Sequence, residues 1–164
     1  MNGSVFILKG NIIYSKSPKE FHICERGYLV CRNGKAEGVY RTLPFRLGGS
    51  PIRDFGDSLI IPGLVDLHLH APQYSYRGLG MDMELLEWLE VNTFPEEAKF
   101  ESLDHAREAY RIFTENLRQS ATTRACVFAT VHRPATLLLM DMLEKSGLDT
   151  YVGKVNMDRN CPDY

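Results

Sequence analysis

The pattern of apolar residues changes at Ser58, and this change constrains the fold more than any other feature of the sequence. Before it, the chain carries short β-rich runs at 5–8, 11–14, 21–24, 28–32 and 35–40. The Asn33–Gly34 pair between the last two runs predicts a type I′ hairpin. After Ser58, apolar strands alternate with amphipathic helices. The sequence therefore predicts a β domain over 1–58 and an α/β domain over 59–164.

The second domain has a regular order of predicted elements. Strands are predicted at 64–70, 122–131 and 151–158. One helix is predicted at 83–91, a second begins after an N-cap at Ser102, and a third spans 134–145 and is ended by Gly147. Uniformly apolar strands between helices indicate a parallel sheet that helices cover. A closed (β/α)8 barrel needs about 250 residues. The 164-residue chain therefore holds either a small open sheet or part of a barrel.

Charge and composition exclude several classes of partner. The net charge of −2 gives no basic surface for nucleic acid, and the lysines and arginines are too scattered to favour an anionic membrane. The uncharged run at 58–65 is too short to span a bilayer, and the first residues do not resemble a secretory signal. The cysteines lack zinc-finger spacing, and we expect them to be thiols of a cytoplasmic protein.

His68 and His70 are the residues most suggestive of chemistry. Side chains two positions apart on a strand share a face, so the two imidazoles can converge on one ion, while Leu67 and Leu69 face the helix-covered side. The pair also ends its strand, where parallel-sheet proteins place their sites. Two histidines at this spacing are common in proteins, however, and alone they are weak support for a metal. Asp66 shares their face, and we expect it to hydrogen-bond the backbone.

The residues around this pair carry a family resemblance. The run IPGLVDLHLH at 61–70 resembles the first barrel strand of the amidohydrolase superfamily. The resemblance implies an α/β fold: the start of a (β/α)8 barrel, incomplete in this chain, preceded by a small β-sandwich domain. The segments HAPQYSY, ELLEWLEVNTFPEE, ATTRACVFATVH and YVGKVNMD resemble the guanine deaminase family within that superfamily.

The resemblance implies a function and a set of site residues. The implied reaction is the zinc-dependent hydrolysis of guanine to xanthine and ammonia, in a homodimer with one Zn2+ in each complete site. His68 and His70 correspond to zinc ligands, and the substrate-binding positions are His70, Ala71, Pro72 and Gln73. No catalytic residue is assigned, because the family's proton-shuttling glutamate and remaining ligands have no counterpart here. We therefore expect the N-terminal part of such an enzyme, inactive alone.

Two other interpretations stay open. The complete protein could be another amidohydrolase that deaminates amino-heterocycles, or a non-catalytic scaffold built on the same barrel. The roles of His132 and Trp88 also stay open. The leucines beside Trp88 (Leu85, Leu86 and Leu89) recur at helical spacing, which favours ordinary packing over closure across a purine.

Overall fold

The computed structural model describes residues 4–159 and 161, and the chain divides into two compact units. The first unit ends at Pro62 and the second begins at Gly63. The sequence predicts this boundary after Ser58, but Ser58 lies inside a strand that continues to Ile60. The break therefore comes a few residues later, at the Pro–Gly pair.

The first unit is built on one four-stranded sheet. Its strands are β1 (Val5–Ser17), β2 (Glu20–Arg32), β3 (Lys35–Tyr40) and β4 (Ile52–Ile60), in the order β3-β2-β1-β4. β2 is antiparallel to both β1 and β3, whereas β4 runs parallel to β1. The predicted short runs at 5–8 and 11–14 are one strand with a shift of register between Gly10 and Ile12. Gly10 pairs with Gly27 and the extra residue of this irregularity lies in β2, so β1 continues through Gly10 without a break.

One turn of this sheet is predicted correctly from the sequence, and one strand is not predicted. Asn33 and Gly34 adopt φ values of 52° and 76°, which confirms the predicted hairpin. β4 is not among the strands predicted from the sequence, because Asp54, Gly56 and Asp57 are turn residues by local preference. It exists through its parallel pairing with β1, in which Ile52 lies opposite Ile7. Tertiary pairing overrides local preference there.

The second unit contains a three-stranded parallel sheet. Its strands are β5 (Leu64–His70), β6 (Thr122–Phe128) and β7 (Asp149–Gly153), paired in chain order. This confirms the predicted parallel sheet, although β6 and β7 end earlier than predicted. The two long helices are α3 (Leu103–Gln119) and α4 (Arg133–Ser146). Ser102 caps α3 by accepting the His105 N–H at 3.4 Å, and Gly147 ends α4 at a φ of 81°.

The segment between β5 and α3 is more helical than predicted. α1 (Leu85–Trp88) continues through a π-helical turn (Leu89–Thr93) into α2 (Phe94–Ala98), and a 3-10 turn (Lys99–Glu101) follows. Pro95 does not stop this run of helical turns; it lies in the first turn of α2, directly after the π-helical turn. The predicted packing of the leucines is wrong for Leu85 and Leu86, which are 66% and 69% exposed.

The core of the second unit lies between the sheet and the two long helices. The helical spacing of Leu103, Ala106, Tyr110, Phe113 and Leu117 predicts one buried face of α3, and all of these except the exposed Leu103 are buried. They form a core with residues of β6 and α4: Ala125, Val127, Leu139 and Leu143. Leu69 of β5 packs partly against this core, whereas Leu67 is 73% exposed. The prediction that both leucines face the helices is therefore wrong for Leu67. Within the described residues, no helix is both long enough and apolar enough to cross a membrane.

Candidate metal and substrate site

Two imidazoles converge at the carboxyl end of β5. The Nε2 atoms of His68 and His70 are 3.2 Å apart, because alternate residues of the strand share one face. Zinc binds imidazole nitrogen at about 2.0–2.1 Å, so two ligands of one tetrahedral ion lie about 3.3 Å apart. The spacing of the pair therefore fits shared coordination of one zinc ion through Nε2.

An aromatic side chain on the neighbouring strand restricts both rings. Phe128 lies opposite His70 in the β5–β6 register, and their rings stack at 4.8 Å with planes 14° apart. The Phe128 ring is also 5.0 Å from the ring of His68. The sequence gives no sign of this role, because a phenylalanine in an apolar strand is typical of a core. The stacking limits the rotation of the imidazoles and so helps to orient the pair.

The surroundings of His70 favour a neutral imidazole. Burial, and secondarily the neighbouring His68, lower the pKa of His70. A neutral ring keeps the lone pair that a metal requires. The His70 Nδ1 atom is buried and has no hydrogen-bond partner within the described residues. Metal-bound histidines commonly donate this second N–H to an acceptor, so this atom marks where such an acceptor would fit.

The remaining polar groups nearby do not complete a metal shell. The Asp66 carboxylate accepts the backbone N–H of His68 at 3.0 Å, which is the backbone role expected for it. His132 precedes α4, and its backbone N–H donates to the Thr130 hydroxyl at 2.9 Å. Among the residues that the structure describes, no group of three or more histidine, cysteine or acidic side chains could hold an ion. The assignment of His68 and His70 as zinc ligands stays a prediction, and the described residues place no third histidine, cysteine or acidic ligand beside them.

The three residues after His70 lead into a 3-10 turn (Pro72–Tyr76): Ala71 directly precedes the turn, and Pro72 and Gln73 begin it. Ala71 and Pro72 are buried, and Ala71 belongs to the hydrophobic core. The Ala71 N–H donates to the Phe128 carbonyl at 3.0 Å, which ties the turn to the end of β6. Gln73 is half-buried and is the first residue here with a long polar side chain. Substrate contact by Ala71, Pro72 and Gln73 stays a prediction, with Gln73 best equipped for it.

A buried carboxyl group lies near Gln73, and nothing in the sequence pointed to it. Burial raises the pKa of Glu97 in α2 to about 7, and the neighbouring Gln73 side chain acts in the opposite direction with a smaller effect. The same carboxyl group, close to Tyr110 of α3, adds to the effect of burial in raising the pKa of that phenol. Acidic residues in the first turn of a helix are common because of the helix dipole. Glu97 therefore carried no signal in the sequence.

Trp88 anchors the connection between β5 and α1. Its indole N–H donates to the Leu79 carbonyl at 2.8 Å, and its ring lies 5.9 Å from that of Tyr76. The side chain is only half-buried. These contacts assign Trp88 a structural role in holding this segment against the turn.

Comparison with known proteins places this architecture in a family. The model of the amidohydrolase family matches residues 59–164. The chain is 47% identical to guanine deaminase from Homo sapiens over 106 residues, covering 63% of this chain and 23% of that protein. It is 42% identical to a probable guanine deaminase from Schizosaccharomyces pombe over 166 residues, covering 99% of this chain and 28% of that protein.

A solved structure gives the same result. The crystal structure of guanine deaminase from C. acetobutylicum with bound guanine is 49% identical, with a TM-score of 0.91 over 98% of this chain and 38% of that chain. The chain thus spans about a quarter of the length of the curated relatives that it matches. The strand with its paired histidines and the parallel sheet beside it lie within the matched region. The chain belongs to the amidohydrolase family.

Proposed function

We propose that the full-length protein catalyses the hydrolysis of guanine by water to give xanthine and ammonia. The observation that carries this proposal is the convergence of His68 and His70, with Nε2 atoms 3.2 Å apart, directly before the turn that holds Gln73. Relatives from several organisms that bear the name guanine deaminase support guanine as the substrate, at 42–47% identity to this chain.

Each residue of the site has a chemical role in this proposal. His68 and His70 hold the zinc ion through Nε2, and Phe128 keeps both rings in place. When bound, zinc supplies the Lewis acidity that activates water towards the amine-bearing carbon of the purine. Gln73 binds the purine, because its amide offers both a donor and an acceptor to the edge of a heterocycle. The buried Ala71 and Pro72 shape the turn from which Gln73 extends.

The larger architecture belongs to the same proposal. We take β5, β6 and β7 as the first strands of a (β/α)8 barrel, and the sheet of the first unit as part of a β-sandwich. The other zinc ligands and the proton-transferring base would then lie on further strands of the full-length protein. Four free thiols support a cytoplasmic location. Homodimer formation, with one zinc ion per site, rests on the family resemblance alone.

The test is an assay of the zinc-loaded full-length protein with guanine. We expect xanthine and ammonia in equal amounts, measured by chromatography and by ammonia release. Other amino-heterocycles, such as cytosine, adenine and a triazine, are assayed in parallel. Turnover of one of these without xanthine formation would assign a different deaminase, and a folded protein that binds no zinc and converts none of them would indicate a scaffold.

A further inference from the structure

β5 carries one extra residue beside β6, directly before the end of the strand. Two successive pairs in the parallel register are Asp66 with Ala125 and Leu69 with Val127. The two residues of β5 are three positions apart, whereas their partners in β6 are two positions apart. β5 therefore contains one residue more than β6 in this interval. An extra residue in one strand of a pair is a β-bulge, which redirects the side chains that follow it.

The bulge decides on which side of the sheet His70 lies. Residues paired across neighbouring strands point to the same side of a sheet. Ala125 belongs to the core between the sheet and the helices, so its partner Asp66 lies on that side. In a regular strand, His70 would share the side of Asp66, because the two residues are four positions apart. His70 instead pairs with Phe128 on the opposite side, so the expectation that Asp66 shares the face of the histidines is wrong.

The Asp66 carboxylate holds the backbone within the bulge. Over the described residues, the register with β6 passes from Asp66 to Leu69, so Leu67 and His68 form the bulge. Residues in a bulge lack the regular hydrogen bonds of the ladder. The Asp66 Oδ1 atom accepts the backbone N–H of His68 at 3.0 Å, a contact that short aspartate side chains make readily two positions along the chain. The carboxylate therefore supplies an acceptor at the point where the strand changes sides.

We propose that Asp66 is a positioning residue that holds this bulge and thereby places His68 and His70 on the open side of the sheet, where both can bind one ion. The inference rests on the proposed function, because it takes the two histidines as zinc ligands. Asp66 acts through the backbone of His68. The property that matters is the position of its acceptor oxygen and not its negative charge.

Two conservative substitutions in the full-length protein separate that position from the charge. Asp66→Asn keeps an acceptor oxygen in place and removes the charge, whereas Asp66→Glu keeps the charge but displaces the carboxylate by one methylene. We expect Asp66→Glu to bind zinc about tenfold more weakly than wild type. Asp66→Asn should stay within about threefold of wild type. Competition with a chelating dye measures these affinities, and kcat for guanine should fall in the same order.

A matched control lies in the first unit. Asp54 in β4 makes the same kind of contact, because its Oδ1 atom accepts the Gly56 backbone N–H at 2.9 Å. Asp54→Glu makes the same change of length there, and zinc affinity should stay within about twofold of wild type. Asp66→Ala removes the acceptor altogether and should weaken zinc binding at least as much as Asp66→Glu. If Asp66→Ala does not fold, the comparison of Asp66→Asn with Asp66→Glu still decides the inference.

The order of the two variants is the decisive result. Tighter zinc binding by Asp66→Glu than by Asp66→Asn would overturn the inference, because the charge would then matter more than the position of the oxygen. Equal zinc affinity of the two variants would overturn it as well. If the wild type binds zinc but forms no xanthine, the proposed function fails, and the affinities still decide the role of Asp66.

A wild type that binds no zinc would also end the proposed function, and the bulge is then tested directly. Crystal structures of the zinc-free wild type and Asp66→Glu give the register of β5 against β6 and the distance between the two Nε2 atoms. A changed register in Asp66→Glu would support the role of Asp66 in holding the bulge. An unchanged register, with the Nε2 atoms still 3.2 Å apart, would overturn it.

Discussion

The two sides of the turn after β5 are built in opposite ways. On one side, His68 and His70 extend from a single strand into an open face, and the rigid backbone of the strand sets their spacing. On the other side, Gln73 and Glu97 come from different elements and are held by burial. The histidine pair depends on positions within one strand and tolerates changes in its surroundings. The proximity of Gln73 and Glu97 depends on packing, so it should respond to substitution and pH differently from the histidine pair.

Removal of one histidine of the pair should have the largest effect on the activity of the full-length protein. We expect His70→Ala to lower kcat for guanine in the full-length protein by roughly 1,000-fold or more, because zinc and its activated water depend on the shell. Zinc content, measured by metal analysis, should fall in parallel. The matched control is His22→Ala in β2, where His22 contacts only the Tyr14 ring among aromatic groups. An active, zinc-loaded His70→Ala variant would contradict the assignment.

The buried side should show itself in the pH dependence of stability. The Glu97 pKa is about 7 in the native state against 4.5 for an ordinary glutamate, so between these values the native state binds more protons than the unfolded chain. Stability therefore falls as pH rises through this window, by about 3 kcal/mol in all.

The measurement is denaturant unfolding at pH 4.5 to 8 in wild type and Glu97→Gln. We expect the variant to lose most of this fall and to be the more stable protein at pH 8. The groups facing Glu97 are Gln73, Tyr76 and Tyr110, and the two tyrosines stay neutral throughout this window because their pKa values are raised. Identical pH profiles for the two proteins would show that Glu97 is not buried as described.

Truncation of the Gln73 side chain tests whether the histidine side and the Glu97 side of the turn can be altered separately. We expect Gln73→Ala to lower kcat/KM for guanine by about 10- to 100-fold, chiefly through KM, because a hydrogen-bonding contact with the purine is lost. Zinc content should not change, since Gln73 is not a ligand. Gln119→Ala, at an exposed glutamine that donates to Glu115 on α3, is the control. A loss of zinc in Gln73→Ala would mean that the two sides are not separable.

The smallest effect is expected from the aromatic ring that orients the histidines. Phe128→Leu keeps an apolar side chain but removes the stacking on His70 and the contact with His68. We expect zinc to bind about fivefold more weakly, corresponding to about 1 kcal/mol, with folding intact. Competition with a metal-binding dye measures the change. Unaltered zinc affinity would show that the strand alone orients the imidazoles.

Much of the framework follows from local sequence signals. The Asn33–Gly34 turn, the Ser102 cap and the Gly147 helix end lie where their backbone preferences place them. The histidine pair was identifiable because two positions on one strand suffice to define it. Leu85 and Leu86 failed as predictions of packing, since helical spacing identifies an apolar stripe but not the surface that covers it.

The sequence by itself therefore determined the elements whose physics is contained in a few consecutive residues: turns, caps, strand alternation and the convergence of His68 and His70 on one face of a strand. Only the tertiary structure decided β4, the stacking of Phe128 on His70, and the burial of Glu97 near Gln73. Each of these joins residues far apart in the chain. Their energy comes from the register of neighbouring strands and from burial between elements, and neither leaves a periodic or local pattern in the sequence.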